Sequence, residues 1–410
     1  MWMREVPAKI LTANASHADW LPPDEVRQLT VQKVTARLRE ASAVIAAEAP
    51  QTEKQRFPTE RAWSIVRQSG LFYLTVPKEH GGVGSQTADA FLDPILAIAE
   101  SCMSTAWCAV QSLQHQWLIG FFPEQFQQEV WGNFPYLTSA GSAFPMGRAI
   151  NVEGGYRVSG HFRWGSGILY AQWVFVMAAV RGADDKSRSL CLFMPVRDVT
   201  ILDSWFMDGM AGTGSHDFLV EDVFVPTHRS LDGAMLYLGQ PTRANPLQRA
   251  PLPVLASSFV PVPILGAARS IVDAYRAQLT AEGVEIGPTG RRGDHVVLAK
   301  ADMALRFAEM AIRDSAARIR DLLLKETPMP ESTRIALRAQ SAYAVGLCRH
   351  AARQIMDICG STAHGLGRPA QRALRDLTVL ASHVTVDVAS SLDVYGRLLV
   401  GLPIEYHRRP

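Results

Sequence analysis

The sequence predicts an α+β protein: an N-terminal helical domain over residues 1–135, a central β-barrel or sandwich over 136–237, and a C-terminal helical bundle over 238–410. Three observations lead there. Apolar residues recur at three- and four-residue steps toward both ends of the chain. Between about Tyr136 and Leu231 that period gives way to alternation and short apolar runs rich in β-branched and aromatic residues. A proline-dense stretch then separates the β-segment from the second helical one.

The first helical segment runs from about Pro23 to Trp131. Val31, Val34, Leu38 and Ala41 mark one apolar face. A second helix starts at Thr59-Glu60 and stops at Gly70, a natural left-handed cap. Turn residues fill Leu74–Gly84, and further helices are expected over Ala88–Ala99 and Thr105–Gly120. In the β-segment Tyr156–Gly160 alternates, Trp173–Val180 and Leu190–Val196 are continuous apolar runs, and Phe218–Pro226 closes the set. Pro241, Pro246, Pro251, Pro253, Pro261 and Pro263 exclude one regular helix over 241–263. Leu298 to Leu322 then carries one long amphipathic helix. A second spans Ile335 to Ile358, with Ser332 as N-cap and Gly360 as stop. A third is expected from Arg368 to Val400, with Pro369 where proline is tolerated.

Composition narrows the function by exclusion. The chain has 410 residues, 48% of them hydrophobic and 20% charged, and a formal net charge of +2, which gives no general attraction to nucleic acid or to an anionic membrane. No run of about 18 consecutive apolar residues occurs, so a membrane span is not expected. Met1 to Glu5 lack the basic head and apolar stretch of a signal peptide, and the five scattered cysteines form no CxxC, so a cytoplasmic location is expected. Neither GxxxxGK[ST] nor GxGxxG between strand and helix is present, and no HExxH. Ser215-His216-Asp217 imitates a catalytic triad, but adjacent residues on an extended strand point to opposite faces. The residues alone therefore stop at an α–β–α protein with a cofactor of unknown kind.

Five stretches in order resemble the acyl-CoA dehydrogenase superfamily. They are Gly70–Gly82 with its Pro77 and Gly81-Gly82, Tyr156–Gly167, Asp208–Ser215 leading through Asp222–Pro226, Gly266-Ala267-Ala268-Arg269 at the start of the first bundle helix, and Gly360-Ser361-Thr362 followed by Gln371–Asp376. Within that superfamily the sequence is similar to the oxygenase components of two-component monooxygenases that use reduced flavin. Ser104-Thr105-Ala106-Trp107 with His115 resembles the helix whose tryptophan packs on the flavin and whose histidine faces the substrate. Trp164-Gly165-Ser166-Gly167 resembles the turn whose serine contacts flavin N5. Ser382-His383 stands where dehydrogenases commonly carry the glutamate of E-G-T; here the segment reads Ala381-Ser382-His383-Val384-Thr385.

The resemblance implies reduced FMN or FAD, supplied by a separate NAD(P)H:flavin reductase, and attack of O₂ to give a C4a-peroxyflavin that hydroxylates a small aromatic or heteroaromatic molecule. Oxygenation asks the protein to exclude water and hold the N5 proton, for which a small hydroxyl such as Ser166 suits better than a charged group. Trp107 supplies an apolar wall. His383 is the expected acid/base, drawing a phenol toward phenolate; without the resemblance it reads as a structural histidine between helices. His115 reads equally as a catalytic or a core residue. Gly141, Ser142 and Ala143 are small residues that let the backbone approach the flavin ring. Trp164, Gly165, Gly360, Ser361, Ser382 and His383 itself complete the implied flavin contacts. Arg291 or Arg292 suits the flavin phosphate, reaching in the family to a neighbouring subunit's flavin, which implies a homotetramer. Gly141 and Thr385 stand where aromatic hydroxylases often carry larger polar residues. An FAD-dependent acyl-CoA dehydrogenase and a flavin-free helical scaffold are the competing readings.

Overall fold

The computed structural model describes residues 19–85, 87–181, 187–239, 245–281, 294–325 and 327–405. Seven helices come first: α1 (Pro23–Arg27), α2 (Val31–Glu40), α3 (Ser42–Gln55), α4 (Glu60–Gln68), α5 (Leu92–Ala99), α6 (Met103–Ile119) and α7 (Glu124–Trp131). Local chemistry sets their ends. Thr59 caps α4 by accepting from the Ala62 N–H, and Gly70 just beyond it takes a left-handed φ of 90°. α6 is buried along nearly its whole length, so it is a core rod rather than an amphipathic surface helix.

The middle of the chain forms β1 (Ser139–Val152), β2 (Gly155–Gly165), β3 (Trp173–Arg181), β4 (Ser187–Pro195), β5 (Thr200–Leu202), β6 (His216–Pro226) and β7 (Ser230–Asp232). These strands make one mixed sheet in the order β5-β6-β2-β1-β3-β4-β7. The β1–β3 pair is parallel, with Gly141 opposite Phe175, and every other pair is antiparallel. The sheet bends around a core of its own in which Val158, Phe162, Val174, Val176, Leu192, Phe218 and Val220 meet. Period-2 alternation sends Phe175, Met177, Cys191 and Phe193 to the opposite face, into the helical core.

Beyond the sheet lie α8 (Gly233–Leu238), α9 (Leu252–Phe259), α10 (Pro261–Ala281), α11 (Asp294–Leu323), α12 (Glu331–Ile358), α13 (Pro369–Leu380) and α14 (Val388–Leu399). The prolines of 246–263 do not exclude helix there. Pro253, Pro261 and Pro263 sit in the first turns of α9 and α10, where the missing N–H costs nothing. The bundle's first long helix thus begins at Pro261, ahead of Gly266. A Cβ at Gly266 would stand 2.5 Å from the Ala99 Cβ, so α10 and α5 meet backbone to backbone. The stretch Leu252–Thr280 is long and apolar enough to cross a membrane by composition, but 89% of its most apolar window is buried inside the protein, as suits a core helix. α12 starts at Glu331 behind Pro330, two residues earlier than a Ser332 cap requires.

The expected single helix from Arg368 to Val400 is two helices. α13 stops at Leu380, and α14 starts behind Asp387, whose carboxylate accepts from the Ser390 N–H at 2.7 Å. A competing cap and the β-branched run Val384-Thr385-Val386 break the helix at the segment carrying His383. The helices before and after the sheet share one apolar core.

Candidate active site

Trp107 lies on α6 with its ring buried, and its indole N–H donates to the Ser166 hydroxyl at 2.9 Å. Ser166 reaches that position through the turn ending β2. Trp164 takes a left-handed backbone (φ 63°), the β2–β6 register shifts between Phe162 and Gly165, and Gly167 follows at φ 72°. The Gly167 N–H is held by the Thr213 carbonyl at 2.9 Å. A left-handed tryptophan is uncommon, and this one leaves its side chain 63% exposed. Phe144 is also exposed, giving two apolar rings on the sheet's surface.

On its other side, the Ser166 hydroxyl lies 2.7 Å from that of Ser215, and Ser215 lies 2.7 Å from the Thr213 hydroxyl. Thr213 donates to the Met210 carbonyl at 2.8 Å. The 210–215 loop is anchored from α13. Asp376 accepts from the Met210 N–H at 2.5 Å and from the Ser104 hydroxyl at 3.5 Å, while Arg375 donates to the Asp208 carbonyl. A Cβ at Gly209 would fall 2.2 Å from the Arg375 carbonyl, so only glycine lets the loop press onto the helix. Burial pushes the Asp376 carboxyl up to about 6. Two sequence stretches read separately, 208–215 and 371–376, are thus one structure.

His383 meets the Trp107 ring edge-on, centroids 5.3 Å apart. Its Nδ1 accepts from the Thr385 N–H at 3.3 Å, which places the proton of the neutral ring on Nε2. Nε2 makes no hydrogen bond among the described residues. The side chain is half-buried at its surface yet closely surrounded by protein, and this desolvation lowers its pKa to about 4. A ring near its ordinary titration range was expected; the packing keeps it neutral at neutral pH instead. Ser382 is exposed and donates to the Thr378 carbonyl at 3.3 Å.

His115 lies eight residues beyond Trp107 on α6, about 12 Å along the axis at 1.5 Å per residue. Its Nδ1 faces the Ser139 carbonyl and hydroxyl, both at 3.0 Å, and its ring meets Phe175 at 4.7 Å. Burial lowers its pKa to about 4. The space beside Gly141 belongs to Phe175, since a Cβ there would stand 1.9 Å from that ring. Ser142 is buried, its hydroxyl on the Phe144 carbonyl at 3.2 Å, and Ala143 packs partly against the helical core. Gly165 is buried opposite His216. Gly360 and Ser361 lie half-exposed and exposed after α12, and among the described residues no hydrogen bond joins them to Trp107 or Ser166. Arg291 and Arg292 lie outside the described residues.

The Ser215-His216-Asp217 run behaves as strand alternation requires. His216 is buried, with Nδ1 accepting from the Ser204 and Trp205 N–H groups, while Asp217 pairs with His161 at 3.0 Å. Ser215 serves Ser166 instead. Among the described residues no group of histidine, cysteine and carboxylate side chains could hold a metal ion.

Residues 259–388 match the family model of the acyl-CoA dehydrogenase C-terminal domain. A pigment production hydroxylase from a Rhodococcus species is 30% identical over 387 residues, covering 92% of this chain and 98% of the relative. The chain belongs to the flavin-dependent monooxygenases of the acyl-CoA dehydrogenase fold. Members of that family similar to it include the oxygenase component of an FADH(2)-dependent resorcinol hydroxylase from a Rhizobium species, 28% identical with 90% and 94% of the two chains covered. Among solved structures, XiaF of a Streptomyces species, in complex with FADH2 and glycerol, superposes with a TM-score of 0.86 at 25% identity, over 94% of this chain and 99% of that one. This monooxygenase is accordingly a flavin-dependent oxygenase component rather than an acyl-CoA dehydrogenase.

The residues present fit such a group. The exposed Trp164 and Phe144 offer apolar faces to a flat heteroaromatic ring, and Ser166, two residues beyond Trp164, offers a hydroxyl to its edge. Trp107, Ser166 and His383 make no contact with a carboxylate among the described residues; the buried Asp376 is committed to Met210 and Ser104.

Proposed function

We propose that the Trp107–Ser166–His383 group is the reaction centre of an oxygenase that hydroxylates a small aromatic or heteroaromatic molecule. The single observation carrying this is the Trp107–Ser166 hydrogen bond with the neutral His383 ring packed against the same indole. The flavin, arriving reduced as FMNH₂ or FADH₂ from a separate NAD(P)H:flavin reductase in the cytoplasm, supplies the electrons and the activation of O₂.

The chain's own residues position and insulate. Trp107 orients Ser166 and walls the site from water. Ser166 would accept a hydrogen bond from the N5–H of the reduced flavin. His383 donates a hydrogen bond from its Nε2–H to the substrate oxygen, which stabilises the anionic, electron-rich form of a phenol that has lost its proton to solvent. This role suits a ring whose pKa is lowered to about 4 better than proton abstraction does. His115, two helical turns away, is assigned to the far end of the substrate or to the support of β1, and its contact with Ser139 favours the second. Arg291 or Arg292 is assigned to the flavin phosphate, with Gly360 and Ser361 as its backbone partners. A homotetramer accompanies this assignment, and the exposed apolar row Val296, Met303, Phe307 and Met310 on α11 supports one.

Anaerobic titration with FMNH₂ and FADH₂, followed by oxygenation in the presence of phenols and indoles, tests the reading. Binding of reduced flavin and a hydroxylated product are expected; failure to bind either form removes the proposal. His383→Ala should lower product formation by about 10²-fold, the loss of one catalytic hydrogen-bond donor, while leaving reduced-flavin affinity within a factor of three. Unchanged product yield excludes the role given to His383.

A further inference from the structure

The hydroxyl chain beside Trp107 has one consistent direction. An indole N–H only donates and a backbone carbonyl only accepts. Trp107 Nε1 donates into one end, and the Met210 carbonyl receives the Thr213 hydroxyl proton at the other. With its proton spent there, Thr213 must accept from Ser215. With its own spent on Thr213, Ser215 must accept from Ser166. Ser166 is left without a free proton and with one open lone pair.

Reversal is disfavoured by the same geometry. It would set the Thr213 and Met210 oxygens 2.8 Å apart with no hydrogen between them, at a threonine with no exposed surface. The terminal acceptor is itself pinned: the Met210 N–H is tied to Asp376, and its carbonyl also receives the Trp205 indole N–H at 3.0 Å.

We propose that Thr213 and Ser215 are positioning residues that make Ser166 an obligate hydrogen-bond acceptor, so that the site selects reduced over oxidised flavin. Reduced flavin carries a hydrogen on N5; oxidised flavin presents a bare lone pair there. The site thereby prefers the form its partner delivers and does not retain the spent one. The inference rests on the reading of Ser166 as the N5 partner.

The test compares dissociation constants for FMNH₂ and FMN, and for FADH₂ and FAD, measured anaerobically. Ser215→Ala frees the Ser166 proton to donate to oxidised N5, so the preference for the reduced form should fall about three- to tenfold, the span of one neutral hydrogen bond. Thr213→Val is nearly isosteric and removes the acceptor of the Ser215 proton, so it should produce the same fall. Thr213→Ser keeps the hydroxyl and should keep the wild-type ratio. Equal weakening of both redox forms, or an unchanged ratio in Ser215→Ala and Thr213→Val, overturns the inference while leaving the flavin reading intact. A wild-type protein that binds neither form overturns both.

Discussion

Phe175 occupies the space that a side chain at position 141 would take, and the same ring packs edge-on against His115. Gly141→Ala should therefore cost about 1–3 kcal/mol, the usual penalty for overpacking. Denaturant midpoints measure this, and adding Phe175→Leu should recover part of the loss; full stability in the single variant contradicts the packing described. At this scale the sequence is uneven to read. Trp107, Ser166 and His383 are visible because each sits in a stretch whose order and spacing resemble a known pattern. Ser215 and Thr213 are not, because a hydroxyl in a glycine-rich turn looks the same whether it faces water or a serine 49 residues away. Which neighbour it has is decided by tertiary packing, and no local pattern records it.

Among the elements, the break between α13 and α14 matters most to the site. Helical periodicity over Arg368–Val400 continues through it, since apolar positions on both helices face the same core. The stop is signalled only by Asp387 and the β-branched run before it. Asp387→Ala should cost about 1 kcal/mol, as removal of an N-cap carboxylate does. Its further consequence is a loosened 381–387 segment, read as faster amide exchange there than in α13; equal exchange in both would argue that packing alone holds His383. The prolines of 246–263 gave the opposite lesson. Their density excludes one regular helix, and none runs through, yet it hides the two helices α9 and α10, because a proline in a first turn is compatible with the helix behind it. The β-segment was readable as strands, but the parallel β1–β3 pair was not, because pairing depends on partners far apart in sequence.

Across the whole molecule, buried titratable groups set the response to acid. His115 and His216, 5% and 2% exposed, have pKa values lowered to about 4 by burial. Their folded values lie below the unfolded value near 6.5, so the stability they confer is present above about pH 6.5 and is lost as the pH falls toward 4. Each shift corresponds to roughly 3 kcal/mol at full effect. Asp376 acts in the opposite sense: its value is raised to about 6, so its contribution is present below about pH 4 and is lost as the pH rises through 6. These two histidines, with His383 lowered in the same sense, outweigh one carboxyl. The melting temperature should therefore drop between pH 6.5 and 4, and His216→Asn should make that drop shallower; a flat profile rules out this account.

The apolar core shared by the helices on either side of the sheet also orders events during synthesis. A ribosome delivers α5 and α6 first, and the helices that cover them, α10 and α13, only after the entire sheet has emerged. Until then those faces have no permanent partner. The nascent chain must carry exposed apolar surface through most of its own translation, and a premature stop anywhere in the sheet leaves a fragment suited to chaperones or proteases rather than to folding.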